Sequence, residues 1–168
     1  METSDYLFFW KVTSEYGEFS QWFYSPFVVD KITFATMEQY MMYKKAKLFG
    51  DYETMNMIAN TPALHPNEHK KMGRRVRNFD VGEWQRKSLY IVVIGNYHKF
   101  TQNQQLRSLL MSTGRSMLVQ ASPYDSIWGI GFDTQNALVN VNKWGYNRLG
   151  SALMIVRNAI LNTKEMAR

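Results

Sequence analysis

Two clusters of side chains have the types and spacing to do chemistry. In the first, Glu38, Met42, Lys45 and Phe49 fall at i, i+4, i+7 and i+11, which places them on one face of any helix covering residues 37 to 49. A carboxylate and an ammonium seven residues apart lie roughly 10 Å from each other along a helix axis, too far for easy pairing. A ligand between them would meet Glu38 as a group that handles a proton or hydroxyl, and Lys45 as a group that meets an anion or attacks an electrophilic carbon. The same spacing also fits a solvated stripe on a surface helix. The second cluster is Ser122-Pro123-Tyr124-Asp125-Ser126-Ile127-Trp128-Gly129-Ile130-Gly131, one carboxylate among aromatic and glycine residues. Such a loop suits a concave site where backbone approaches a flat ligand. It equally suits a turn in which Asp125 caps backbone amides and Trp128 fills core.

Weaker candidates surround these. Arg157 falls beside Leu153, Met154 and Ile160 on the inward side of a C-terminal helix, and a buried guanidinium there needs a protein carboxylate or a bound phosphate. Trp84 is either core or a stacking platform. His65-Pro66-Asn67-Glu68-His69 spells a metalloprotease-like H-x-x-E-H order. Pro66, however, pushes His65 out of helical geometry, so the two imidazoles need not share a face, and no metal site is expected.

The elements that must carry these residues can be read from caps and periodicity. Thr36-Met37-Glu38-Gln39 fits a capping box ahead of the 37–49 helix, with Gly50 as its stop. Helices are expected over 53–59, from Pro66 through Met72, over 103–112, and at the C-terminus, where Leu149, Leu153, Val156 and Ile160 recur at helical spacing. Asp80 opens a further capped segment, but the run Leu89 to Ile94 reads equally as a buried strand. Tyr6 to Val12, the hairpin-like pair Phe27-Val28-Val29 and Ile32-Thr33-Phe34, and Met117-Leu118-Val119 are strand candidates. The expected fold is α+β and predominantly helical, a single compact domain over 1–168 with a small N-terminal sheet.

Composition bounds the class. With 168 residues and no cysteine, one core is affordable and disulfides, thiolate metal sites and a cysteine nucleophile are excluded. The polar, acidic start and the lack of any apolar run near 20 residues predict a soluble, cytoplasmic protein with no membrane association. The net charge of +6, gathered at Lys44, Lys45 and Lys47 and again between Lys70 and Arg77, suits an anionic ligand, and ten Tyr and five Trp supply flat surfaces for its ring.

Taken together, these segments resemble the NADAR (YbiA-like) superfamily. The resemblance rests on Phe19-Ser20-Gln21-Trp22-Phe23 with Pro26-Phe27, on Glu38 through Lys47, on Gly73-Arg74 with Trp84, and on Lys99-Phe100-Thr101-Gln102-Asn103. It continues through Leu118-Val119, Ala121 to Asp125, Trp128 to Gly131, Asn147, Leu149-Gly150, Leu153-Met154 and Val156-Arg157, so the matching core runs over about 19–162. Gln120 and Gln21 depart from the pattern, standing where the family usually has glutamate and asparagine.

The resemblance implies a mainly helical N-glycosidase acting on ribosylated, phosphorylated compounds, without a cofactor. The implied substrates are ribosylamino-pyrimidine phosphates of riboflavin biosynthesis or ADP-ribosylated guanine, so the partner is a small phosphorylated ribosyl compound or ADP-ribosylated nucleic acid. It assigns catalysis to Glu38, Lys45 and Asp125, and substrate contacts to Phe19, Ser20, Arg74, Trp84, Trp128, Asn147 and Arg157. Lys45 either forms a Schiff base with the sugar or holds a phosphate. Two other readings stand beside this one: a non-catalytic ADP-ribose or nucleotide-binding module, and a basic nucleic-acid binder using Lys70 to Arg77.

Overall fold

The computed structural model describes residues 5–62 and 65–166; the first four residues of the acidic start lie outside it. The chain forms two compact units, one from the segment up to Ser20 together with Gln104 onward, the other from Gln21–Asn103.

The Gln21–Asn103 unit begins with an antiparallel hairpin of strands β2 (Phe27–Val29) and β3 (Ile32–Phe34), in the register Phe27↔Phe34, Val28↔Thr33 and Val29↔Ile32. Its two turn residues, Asp30 and Lys31, both have positive φ, 51° and 66°, as a two-residue turn matched to strand twist requires. Helix α1 (Met37–Leu48) follows, its N-terminus capped by Thr36 Oγ1 accepting from the Gln39 N–H at 3.2 Å. The Gln39 side chain reaches back as a capping box demands, but to the Ala35 N–H (2.9 Å), and it also donates to the Ile58 carbonyl (3.0 Å). At the other end Gly50, with φ 69°, closes a Schellman motif: Asp51 N–H donates to the Ala46 carbonyl and Gly50 N–H to that of Lys47.

Helices α2 (Tyr52–Asn60), α3 (Pro66–Arg74) and α4 (Val81–Gln102) pack around α1. Residues 37–43 are buried without interruption, so α1 is the central helix of this unit and has no solvated stripe over its first two turns. Phe27, Phe34 and Tyr40 interlock, with ring centroids 5.2 to 5.9 Å apart. The ambiguous run Leu89–Ile94 is helical, the middle of the 22-residue α4 that Asp80 caps.

In the other unit, β1 (Tyr6–Phe9) pairs in parallel with β4 (Met117–Gln120), Tyr6 opposite Met117 and Phe9 opposite Gln120. The first strand therefore belongs to a different sheet from the hairpin. Helix α5 (Gln104–Ser112), the short α6 (Thr134–Ala137) with a 3-10 continuation through Lys143, and α7 (Arg148–Met166) complete this unit. Leu149, Leu153, Val156 and Ile160 of α7 are buried, as their spacing predicts. Gly150 lets α7 close on the strand: a Cβ there would run into the Leu118 carbonyl oxygen. The architecture is α+β and predominantly helical, and no helix among the described residues is long and apolar enough to cross a membrane.

Candidate active site

Within the Gln21–Asn103 unit, α1 presents Glu38 from its first turn and Lys45 from its third. Glu38 is 5% exposed, a buried carboxylate on a helix N-terminal turn whose dipole favours the charge. Lys45 is half-buried, its ammonium 4.3 Å from the centre of the Phe79 ring and 5.6 Å from that of Trp84. Burial holds its pKa below the ordinary lysine value; the Glu38 charge pulls it back up, and Arg74 pushes it further down. Glu38, Lys45, Arg74 and Trp84 thus form one electrostatically coupled group, with Arg74 exposed. Phe79 belongs to this group and sequence reading missed it. It sits in the irregular stretch between α3 and α4, where no periodicity marks it.

The rest of the basic stretch is dispersed. Lys71 pairs with Glu68 at 2.8 Å, Arg77 with Asp51 at 2.7 Å and Glu53 at 2.9 Å, and Lys70 lies 5.8 Å from the Trp22 ring centre. His65 is the extended N-cap of α3, while buried His69 points Nε2 at the Thr61 carbonyl (3.2 Å). The H-x-x-E-H residues therefore face three different environments.

In the other unit, the 122–131 loop folds around Asp125. Its Oδ1 accepts from the N–H groups of Ile127 (2.9 Å) and Trp128 (2.8 Å), and its carbonyl accepts from Gly131 N–H at 3.0 Å. Asp125 is thus a turn-capping residue through one oxygen, and Oδ2 makes no hydrogen bond among the described residues. Gly129 and Gly145 are required for close approach: a Cβ on Gly129 would stand 2.8 Å from the Gln120 carbonyl oxygen, and one on Gly145 would run into that of Ser126. Trp128 is half-buried, and the Arg148 guanidinium lies 5.1 Å from its ring centre. Arg148 was also invisible in the sequence, one cation among twenty Lys and Arg.

Four residues expected to touch substrate also have partners within the protein. Phe19 is fully buried against Phe9 and Tyr16, with centroids 5.6 and 5.7 Å away, so its ring is core. Asn147 is 4% exposed at φ 49°, and its amide accepts from Gln120 N–H (3.0 Å) and donates to the Leu118 carbonyl (2.9 Å), pinning the start of α7 to β4. Arg157 meets neither a carboxylate nor open space: Nη1 donates to Thr113 Oγ1 (2.7 Å) and to the Ser116 carbonyl (3.0 Å), tying α7 to the α5–β4 turn. Ser20 is half-buried and ends the 3-10 turn at Gly17–Phe19, its N–H donating to the Gly17 carbonyl.

A profile of the NADAR domain matches residues 8–161. The chain belongs to the NADAR domain family. It is 41% identical over 168 residues to an N-glycosidase of Acanthamoeba polyphaga mimivirus, an alignment covering 94% of this chain and 97% of that one. A second N-glycosidase, from Nostoc punctiforme, is 31% identical over 156 residues, 93% of each chain. The NMR structure of Escherichia coli YbiA superposes with a TM-score of 0.79 at 27% identity, covering 98% of this chain and 89% of that one. The chain accordingly groups with the N-glycosidases, hydrolases of N-glycosyl bonds.

Proposed function

We propose that this NADAR domain hydrolyses the N-glycosidic bond of a ribosylated, phosphorylated compound, either a ribosylamino-pyrimidine phosphate of riboflavin biosynthesis or ADP-ribosylated guanine. The observation that carries the reading is Lys45: a half-buried amine against two aromatic rings, its pKa lowered by burial, coupled to a buried carboxylate and an exposed guanidinium. A phosphate-holding cation gains from staying charged, whereas a nucleophilic amine gains from a lowered pKa. We therefore assign Lys45 to covalent chemistry and Arg74 to the phosphate, which a guanidinium binds through charge-assisted hydrogen bonds.

In this mechanism the Lys45 amine bonds to the anomeric carbon of the opened sugar as the carbon–nitrogen bond to the base breaks. The sugar opens by breaking its ring carbon–oxygen bond, the base N–H proton passing to the ring oxygen and leaving the anomeric carbon doubly bonded to the base nitrogen; the Lys45 nitrogen then gives up both its protons in becoming the imine, and Glu38 relays them to the departing nitrogen. Water then adds across the carbon–nitrogen double bond, releasing the sugar and the free amine. Within the other unit, Trp128 is assigned as a stacking surface for a planar ring and Asp125 as the carboxylate beside it.

The test is incubation with ribosylamino-pyrimidine phosphates, ADP-ribosylated DNA and ADP-ribose, with free base measured by chromatography. Base release from either of the first two, abolished in Lys45→Ala, supports the proposal. Tight binding of ADP-ribose with no base released from any of them identifies a binding module instead.

A further inference from the structure

Phe79 stands 45% exposed in the irregular stretch between α3 and α4, a large ring that forgoes much of the burial a core position would bring. Its backbone is nevertheless fixed on both sides. Two residues before it, Arg77 N–H donates to Asp51 Oδ2 at 2.9 Å and the Arg77 guanidinium to Asp51 Oδ1 at 2.7 Å. One residue after it, Asp80 caps α4, its Oδ1 accepting from Glu83 N–H at 2.6 Å. Asn78, between these anchors, lies in the left-handed region at φ 58°, which few residues other than glycine and asparagine tolerate. Strain of this kind persists only where the surroundings over-determine it, and it clusters at functional sites.

What the turn achieves is the placement of the ring. Phe49, the C-cap of α1, braces it edge-on, with centroids 5.3 Å apart and planes at 71°. The Lys45 ammonium lies 4.3 Å from the Phe79 centroid and 5.6 Å from that of Trp84 on α4, so two rings from different elements stand where water would otherwise solvate one amine. A ring face also attracts a cation, but at a half-exposed ring that attraction is at the weak end of its range, whereas burial is the largest influence on Lys45 and favours the neutral amine. The charged groups acting on Lys45 are Glu38 on its own helix and Arg74 on α3. The other carboxylates of this unit are engaged elsewhere: Asp30 with Lys44, Asp51 and Glu53 with Arg77, Glu68 with Lys71, Glu83 with Arg86, and Asp80 as the α4 cap.

We propose that Phe79 is a positioning residue for the Lys45 amine, its ring held by the 77–80 turn so that the nitrogen is kept out of water against Phe79 and Trp84. The inference rests on the covalent role of Lys45 proposed above. Phe79 takes part in no bond making; it acts through the amine it covers.

The experiment is an NMR titration of the full chain carrying isotopically labelled lysine, the Lys45 signal being the one lost in Lys45→Arg. The pH dependence of base release is measured beside it, with whichever of a ribosylamino-pyrimidine phosphate and ADP-ribosylated DNA the wild type cleaves. In Phe79→Ala the Lys45 midpoint rises towards the ordinary lysine value, and kcat/KM on the acid limb falls by the same factor as the fraction of neutral amine. Phe79→Tyr keeps the ring and the wild-type midpoint. Phe79→Leu keeps apolar bulk at the turn and gives an intermediate midpoint, a second reading that does not depend on the alanine variant folding. A Lys45 midpoint that stays in place or falls in the alanine and leucine variants overturns the role of Phe79 and leaves the chemistry of Lys45 standing. A midpoint that rises while the acid limb of base release stays fixed shows that Lys45 is not the reacting group, and overturns the covalent reading and this proposal with it. Absence of base release by the wild type from both substrates does the same.

Discussion

Gly95→Ala separates helix stability from the position of α1. Gly95 lies in the interior of α4, where an added Cβ would stand 2.5 Å from the Tyr40 ring and 2.7 Å from Met37 Cε, both on α1. Replacing a helical glycine by alanine gains roughly 0.8–1 kcal/mol in propensity. Overpacking of this kind costs roughly 1–3 kcal/mol, so a net loss of about 0–2 kcal/mol is expected. For a chain of this size that lowers Tm by about 0–8 °C. Restoring an ordinary carbon contact requires about 1 Å of movement by the turn that carries Met37, Glu38 and Tyr40. A misplacement of that size lowers turnover by roughly a hundredfold. Gly82→Ala, in the first turn of α4, is the control: the nearest atoms to its Cβ, on Arg86 and Asp80, stand at 3.4 Å and neither is on α1, so turnover is retained. Thermal melts and base-release kinetics on both variants check the reasoning. A Gly95→Ala protein with Tm raised by the full propensity gain and unchanged turnover refutes it.

Other expectations follow from individual contacts. Leu153→Ala, at a fully buried position, costs about 2–5 kcal/mol of stability, whereas Trp128→Ala loses ligand binding with a far smaller shift in Tm; a collapse of the Trp128→Ala melt makes that ring core instead. Hydrogen bonds from Arg77 hold the Asp51 carboxyl well below the usual carboxylate range. The stability this brings is present above the ordinary carboxylate pKa and is lost as pH falls through the depressed native value, so the deficit of Arg77→Ala in urea unfolding shrinks with acidification; a pH-independent deficit contradicts it. If the neutral Lys45 amine is the reacting form, kcat/KM rises with pH through an apparent pKa below the ordinary lysine value. Arg74→Ala moves that limb to higher pH and Glu38→Gln to lower pH, and limbs that stay fixed in both variants exclude Lys45 as the titrating group.

How much of this was legible in the sequence depends on what carried the signal. The 37–49 helix was readable because its stop and start are local chemistry, Thr36 with Gln39 at one end and Gly50 at the other, and the structure needs both. The helical nature of Leu89–Ile94 was hidden because the buried stripe of α4 runs through Ser88, Val92, Gly95, Asn96, Lys99 and Phe100. Their spacing is helical, but only two of them are large and apolar, so a count of hydrophobic residues passes over the stripe. The parallel pairing of β1 with β4 joins segments more than a hundred residues apart, and no local pattern announces such a contact. At the candidate site, helix spacing marks Glu38 and Lys45, and the family motif adds Arg74 and Trp84, both of which the structure places near the Lys45 ammonium. Phe19, Asn147 and Arg157 also hold the core and tie α7 to its neighbours, and a motif alone does not distinguish a residue that touches substrate from one that positions the residues that do.

The covalent role proposed for Lys45 is open to direct measurement. Borohydride added during turnover of a ribosylamino-pyrimidine phosphate reduces an imine to a stable amine, and peptide mass spectrometry then locates the sugar. The account predicts a single adduct on Lys45, absent in Lys45→Arg, which is inactive although it keeps the charge. Turnover with no adduct, an adduct on another lysine, or an active Lys45→Arg protein contradicts it.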